Sequence, residues 1–228
     1  MINKSDSSWF KDKKVLITLG PTREYLDTVR YISNASSGRM GIALARECSS
    51  RGAHVFLVAG PGVAGLDKFP SRKIVSAAQM MAEAAKIFPD TDVFISAAAV
   101  ADFRPEKTAS GKLHRGKRPM SIKLLPNPDI LFALTKAKKK QFCVGFALED
   151  PEREVDGQAL EGLNKAKEKM KKKRCDLMVL NSTESMESDY IDATIIFPRG
   201  QVLRLGKITK QKCSQKICLA IIEAAQTK

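Results

Sequence analysis

Five short apolar runs punctuate this chain, at Lys14–Thr18, Val55–Ala59, Val93–Ala97, Phe142–Ala147 and Leu177–Asn181. Each of the first four is followed by a stretch of helical period, at Ser37–Arg51, Ala77–Phe88, Asp129–Lys138 and Gln158–Lys173. A strand that is apolar along its whole length needs cover on both faces, and alternation with helices supplies it. The pattern therefore predicts an α/β fold: a Rossmann-like, doubly wound, mostly parallel sheet. After Asn181 the pattern changes. Ala193–Phe197 and Gln201–Leu205 flank Pro198-Arg199-Gly200, a hairpin signal, and Thr209–Ala225 reads as a closing helix. The 228 residues fit one domain with a C-terminal β-hairpin extension, residues 1–12 forming an N-terminal arm.

Charge and cysteine usage narrow the partners. A formal charge of +14 invites a nucleic-acid reading. The lysine clusters, at 136–140 and 165–174, have no interleaved aromatic residues on which bases could stack, and so read as solvated helix faces. A small polyanionic substrate accounts for a basic surface equally well, and nucleic acid is not the expected partner. Five cysteines, an odd number with no C-x-x-C pair, point to a reducing compartment. Cys48, Cys143, Cys175 and Cys218 have apolar neighbours and read as small buried hydrophobes. The first 14 residues contain no apolar h-region, and the longest apolar run, Val93–Ala101, is too short to span a bilayer. No membrane partner is expected, and the expected location is cytoplasmic.

The stretch LITLGPTREYLDTVRYISNASSGRMG, Leu16 to Gly41, carries the first candidate site. Gly20 and Pro21 stop the strand at its carboxyl end, where a doubly wound sheet presents its ligands. Ser36, Ser37 and Gly38 then open a helix whose positive end and small residues suit an anion. The same turn serves as an ordinary helix start with no ligand, and the residues alone leave both readings open. Thr22 to Ala35 intervene between strand and helix, so the spacing does not fit a dinucleotide fingerprint. Arg23, Glu24, Asp27, Arg30 and Asn34 lie in that long loop. A second candidate is Ser96-Ala97-Ala98-Ala99-Val100-Ala101-Asp102-Phe103-Arg104-Pro105, whose small residues end a buried strand just before two charges. A tightly packed strand with a solvated loop is the plainer reading of it.

GPTREYLDTVRYISNASSGRMG is followed in order by RGAHVFLVAGP, AAAVADFRP, NPDIL, VGFALE and a Lys-rich helix before CDLMVLN. Together, from Lys13 to about Phe197, these segments closely resemble phosphopantothenate–cysteine ligase of the bacterial, stand-alone type. The resemblance implies a ligase of coenzyme A biosynthesis that joins 4′-phosphopantothenate to L-cysteine through an acyl-nucleotide, with CTP rather than ATP as co-substrate and Mg²⁺ as cofactor. It assigns Ala98, Ala99 and Asp102, with Ser96 and Ala97 beside them, to the substrate and nucleotide pocket, and Phe146 to the nucleotide base. Lys112, Lys169 and Lys173 correspond to ligands of the nucleotide phosphates; His114 and Arg115 stand where lysines are usual. Asn34 is the candidate oxyanion donor and Arg30 the candidate contact to substrate phosphate or carboxylate. A homodimer is expected from the resemblance and from the sheet edge that the C-terminal hairpin offers. The chain begins close to its first strand, so the decarboxylase acting downstream is expected to be a separate protein. An NAD(P)-dependent reductase is the alternative on architecture alone, and a basic nucleic-acid-binding protein the third.

Overall fold

A computed structural model describes residues 8–116, 119–148 and 159–227. In chain order the strands and helices are β1 (Lys14–Pro21), β2 (Arg23–Tyr25), β3 (Tyr31–Ser33), α1 (Arg39–Ser50), β4 (His54–Ala59), β5 (Ser71–Lys73), α2 (Ala77–Ile87), β6 (Val93–Ala99), β7 (Phe103–Pro105) and β8 (Leu124–Pro126). There follow α3 (Ile130–Lys136), β9 (Phe142–Leu148), α4 (Ala159–Lys172), β10 (Leu177–Asn181), β11 (Tyr190–Ile196), β12 (Val202–Thr209) and α5 (Lys210–Gln226).

One sheet of eight strands runs in the order β12-β11-β10-β9-β6-β1-β4-β5. From β10 to β5 every neighbouring pair is parallel, and β11 and β12 close the other edge as an antiparallel hairpin. The chain winds outward from β1 to β4 and β5, then returns to the other side of β1 to lay down β6. The helices that follow β1 and β6 leave in opposite directions at this reversal, which opens a crevice at the strands' carboxyl ends.

The expected doubly wound sheet with its hairpin is the observed one, and β1 shows why. Val15, Ile17 and Leu19 enter one buried cluster with Leu44 and Cys48 of α1 and Ile217 and Ile221 of α5. Leu16, between them, enters a second cluster with Met80 of α2, Leu134 of α3 and Met170 of α4. Alternate side chains thus meet different helical layers, and each full burial of such a side chain stabilises the fold by about 1.5–3 kcal/mol.

Differences lie at element ends and in loops. The first strand runs three residues past Thr18 to Pro21, because β6 pairs with it as far as Pro21 opposite Ala99. The helix expected from Ser37 begins at Arg39, since Gly38 precedes it with a left-handed backbone, φ 71°. The Thr22–Ala35 loop contains the β2–β3 hairpin, too short for a period to show. β7 and β8 pair across the long 106–123 connection. Residues 1–7 of the arm, Gln158 at the expected start of α4, and Glu149 of VGFALE lie outside the described residues. Among the described residues no helix is long and apolar enough to cross a membrane.

All five cysteines are buried free thiols. Burial pushes the Cys175 and Cys213 thiols up to about 12. The contact with Cys48, Sγ to Sγ at 3.7 Å, together with burial raises Cys218 well above its ordinary range. The thiolate is the reactive form. A thiol-specific disulfide reagent at neutral pH should therefore modify native protein far more slowly than unfolded protein, in which all five cysteines react. A fast stoichiometric reaction in the native state would contradict this burial.

Candidate functional site

The carboxyl ends of β6, β9 and β10 and the start of α1 surround a cavity of about 550 Å³. Its floor is the strand end Ala97, Ala98, Ala99 and Val100, with Phe146 and Leu148 from β9 and Asn181 from β10. Small side chains here leave room that branched residues would fill. One wall is the run from Ser33 to Gly41; the opposite wall comes from Ser185, Met186, Glu187 and Ile191, with Lys210 at the start of α5.

Helix α1 differs from α2, α3 and α5 at its start. Ser76 caps α2 in a capping box, Asp129 caps α3 and Thr209 caps α5, each accepting a backbone N–H. At Gly38 there is no side-chain cap and no acidic residue in the first turn. The first N–H groups of a helix have no partner within it, so an uncapped start beside a cavity suits an anion. Gly38 is required on two counts. Its φ of 71° disfavours any Cβ, and a Cβ there would lie 2.7 Å from Val63 Cγ2.

The wall is held by hydrogen bonds from the motifs themselves. Asn34 Nδ2 donates to the Val100 carbonyl at 3.0 Å, tying the loop after β3 to the end of β6. An amide nitrogen carries two hydrogens, and this bond uses one. Thr22 Oγ1 accepts the Ala101 N–H at 3.0 Å, and Asn127 Nδ2 donates to the Ala101 carbonyl at 2.8 Å. Asn127 of NPDIL therefore positions the backbone beside Asp102, which also lines the cavity. Arg39 Nη1 donates to the Glu187 carbonyl at 2.8 Å and pairs with Asp189 at 3.2 Å, joining the two walls. Burial, and after it the charge of Arg39, hold the Lys210 ammonium below the ordinary lysine range.

Of the expected site residues, Asn34, Ser36, Ser37, Gly38, Ala97, Ala98, Ala99, Asp102 and Phe146 line this one cavity. The others lie off its wall, for distinct reasons. Gly20 is covered, with Val63 where its own Cβ would be. Ser96 sits one step deeper in β6, in register with Thr18 and Gly145. Arg30 pairs with Asp27 at 3.3 Å. Asp27 also accepts the N–H groups of Val29, Arg30 and Leu113, and those bonds, Arg30's first, hold its carboxyl below the ordinary carboxylate range. Lys112 is exposed next to that anchor. On the Lys-rich helix Lys169 is exposed, while Lys173 Nζ pairs with Asp129 at 3.3 Å. Glu24, from the same loop, is also structural: its Oε1 accepts the Ala77 N–H at 2.9 Å at the start of α2.

Sequence reasoning missed Arg39, Asn181, Ser185, Met186, Glu187, Ile191 and Lys210. Asn181 ends a strand on the carboxyl edge and could have been found by that position. Arg39 directly follows the Ser36–Gly38 turn and could have been found there, whereas the remaining residues are brought in by the chain folding back after β10, which no local signal reports.

A Rossmann-like sheet with an anion-suited cavity at its topological switch point defines a ligand-binding α/β protein of the doubly wound class. Within that class the chain belongs to the family described as DNA/pantothenate metabolism flavoprotein C-terminal domain, which it matches over residues 10–225. It is 44% identical over 177 residues to a cysteine/cysteine sulfinic acid decarboxylase from an unknown prokaryotic organism, covering 75% of this chain and 46% of that protein. It is 36% identical over 222 residues to the coenzyme A biosynthesis bifunctional protein CoaBC of Mycobacterium tuberculosis, covering 92% of this chain and 52% of that protein. The chain thus spans about half the length of these relatives. The crystal structure of the C-terminal domain of a CoaBC protein superposes with a TM-score of 0.79 at 30% identity, covering 96% of this chain and 98% of that one.

Proposed function

We propose that this chain is a phosphopantothenate–cysteine ligase, joining 4′-phosphopantothenate to L-cysteine in coenzyme A biosynthesis. The observation that carries the reading is one cavity holding an uncapped helix start, the Asn34 amide and a small-residue strand end, in a chain aligned along most of its length with coenzyme A biosynthesis proteins. The decarboxylase activity named for one relative is not carried over, since the chain spans less than half of that protein.

A carboxylate is too poor an electrophile for direct attack by an amine. In this reading the pantothenate carboxylate first attacks the α-phosphate of CTP, giving an acyl-cytidylate and pyrophosphate; the cysteine amine then displaces CMP. Negative charge on the phosphates is offset by the start of α1 and the cations on the wall, with Lys112, Lys169 and Lys173 adding positive potential from outside it. Phe146 packs beside the base. Asn34 uses its second amide hydrogen on the oxyanion of the second step. Among the described residues no group of three or more metal-binding side chains occurs. Mg²⁺ takes one or two carboxylates and otherwise phosphate oxygens and water. Asp102 and Glu187 on the cavity wall are the residues that would hold it, and when bound it would offset phosphate charge. In this reading the ligase acts in the cytoplasm.

The test is an assay with phosphopantothenate, cysteine and Mg²⁺, giving each nucleoside triphosphate in turn and measuring pyrophosphate and amide. Turnover with CTP exceeding that with ATP is expected. No cysteine-dependent amide with any nucleotide would overturn the reading, and a preference for ATP would overturn the choice of CTP.

The reading includes a homodimer. Exposed apolar side chains gather on the β7–β8 arm and its connection, at Phe103, Met120, Ile122 and Leu124. A patch of that kind on an otherwise charged surface marks an association site. The hairpin edge, where Tyr190 and Leu203 are exposed, is the other candidate. Phe103→Lys combined with Ile122→Lys should yield a monomeric mass by light scattering where the unmodified protein is dimeric; an unmodified monomer with full activity would remove the dimer.

A further inference from the structure

Lys210 stands in an unfavourable place. It is the first residue of α5, at the positive end of a 17-residue helix, where a cation is disfavoured. It is also only 8% exposed, so its ammonium has lost most of its water, a cost ordinarily met by an ion pair. Here Nζ donates to the Ser185 carbonyl at 3.0 Å, and Asp189 acts on it only as a charge beyond contact. Among the described residues no ion pair is formed to it. Asp189 instead lies 3.2 Å from Arg39, itself the first residue of α1. Two helix starts and two cations thus converge on one spot, where Asp189 pairs with Arg39 and Glu187 lines the same cavity wall. Beyond it opens a second cavity of about 540 Å³, which shares Ser37, Arg39 and Lys210 with the first and has Arg46 on its own wall. A desolvated cation without a carboxylate in contact is stabilised by an anionic ligand, and two adjoining cavities with a cationic partition suit an elongated one.

We propose that Lys210, with Arg39, anchors the terminal diphosphate of the nucleoside triphosphate across the partition between the two cavities, with Arg46 beyond it. This rests on the ligase reading above. When the substrate carboxylate oxygen bonds to the α-phosphorus, the bond from that phosphorus to the bridging oxygen breaks and its electron pair leaves on pyrophosphate. The charge gathers on the group that Lys210 holds. An ammonium has three donors, of which Ser185 takes one, leaving two for phosphate oxygens.

Calorimetric titration of the whole protein with inorganic pyrophosphate, CTP and CMP, each with Mg²⁺, tests this. Lys210→Met keeps an unbranched chain of similar length and removes the charge. It should weaken pyrophosphate and CTP by about tenfold or more, the effect of losing a charge-assisted hydrogen bond, while CMP stays within about twofold. Without ligand the variant should melt no lower than the unmodified protein, and pyrophosphate should no longer raise its melting temperature. Lys210→Arg should keep most of the pyrophosphate affinity. Should Lys210→Met fail to fold, Arg39→Gln carries the same test, with the same selective loss expected. Unchanged pyrophosphate affinity in the folded variants, or an equal loss of CMP, overturns the assignment while the ligase reading stands. An unmodified protein that binds neither CTP nor pyrophosphate overturns both.

Discussion

Asn34→Asp should release one burst of pyrophosphate and then form almost no amide. The side-chain nitrogen that bonds the Val100 carbonyl lies on the wall of the main cavity, beside the strand end Ala97–Ala99. Aspartate keeps the size but cannot donate. It would set a carboxylate against both the Val100 carbonyl and the oxyanion that forms as the cysteine amine adds. Loss of one oxyanion donor costs on the order of a hundredfold or more in rate. Activation by the nucleotide depends on the cations and Mg²⁺, so it should survive better than amide formation, and acyl-cytidylate should accumulate on the enzyme. Single-turnover experiments with labelled phosphopantothenate separate the two products. Equal loss of burst and amide would give Asn34 a role in substrate binding, and normal amide formation would take it out of the reaction.

Gly38→Ala should be disruptive on two counts, backbone and space. The left-handed backbone costs a non-glycine residue about 1–2 kcal/mol, and forcing a carbon into a filled space typically adds about 1–3 kcal/mol. Here the new Cβ would lie 2.7 Å from Val63 Cγ2 and 3.3 Å from the Gly20 Cα. Val63 can be trimmed but the backbone of Gly20 cannot. Urea unfolding of Gly38→Ala and of Gly38→Ala combined with Val63→Ala should therefore show partial rescue, leaving about 1–2 kcal/mol that belongs to backbone strain. Complete rescue would mean that the turn tolerates a side chain. Pyrophosphate affinity should fall with the first substitution, because relief of the contact moves the start of α1.

Much of the fold could be read in the sequence because each main strand is apolar along its length and each helix between strands carries its own period. Those signals are local. So was the Ser36–Gly38 turn, where three small residues open a helix. What stayed hidden depended on distance. Glu24 and Asp27 read as charges in a functional loop, yet Glu24 meets the Ala77 N–H and Asp27 the Leu113 N–H. Isolated carboxylates near a site and carboxylates that tie down a distant backbone look alike until the fold brings their partners in. The lysines show the converse. Lys169 and Lys173 have the spacing of a paired phosphate ligand, but Lys173 is drawn to Asp129. Lys210, which had no motif to mark it, reaches the cavity through the antiparallel hairpin.

That hairpin also sets an order on the birth of the site. The first wall, from Ser33 to Gly41, leaves the ribosome early, whereas the wall at Ser185–Ile191 and Lys210 is made only after five more strands of the parallel sheet. At synthesis rates of about 5–20 residues per second, the interval is roughly ten to thirty seconds. During it the nascent sheet has an unpaired edge on that side, at β6, then at β9 and last at β10, which β11 finally covers. A growing chain at this stage has a basic helix start and an unpaired strand but no closed pocket, so its hazard is sticking to neighbours on the same message rather than premature catalysis.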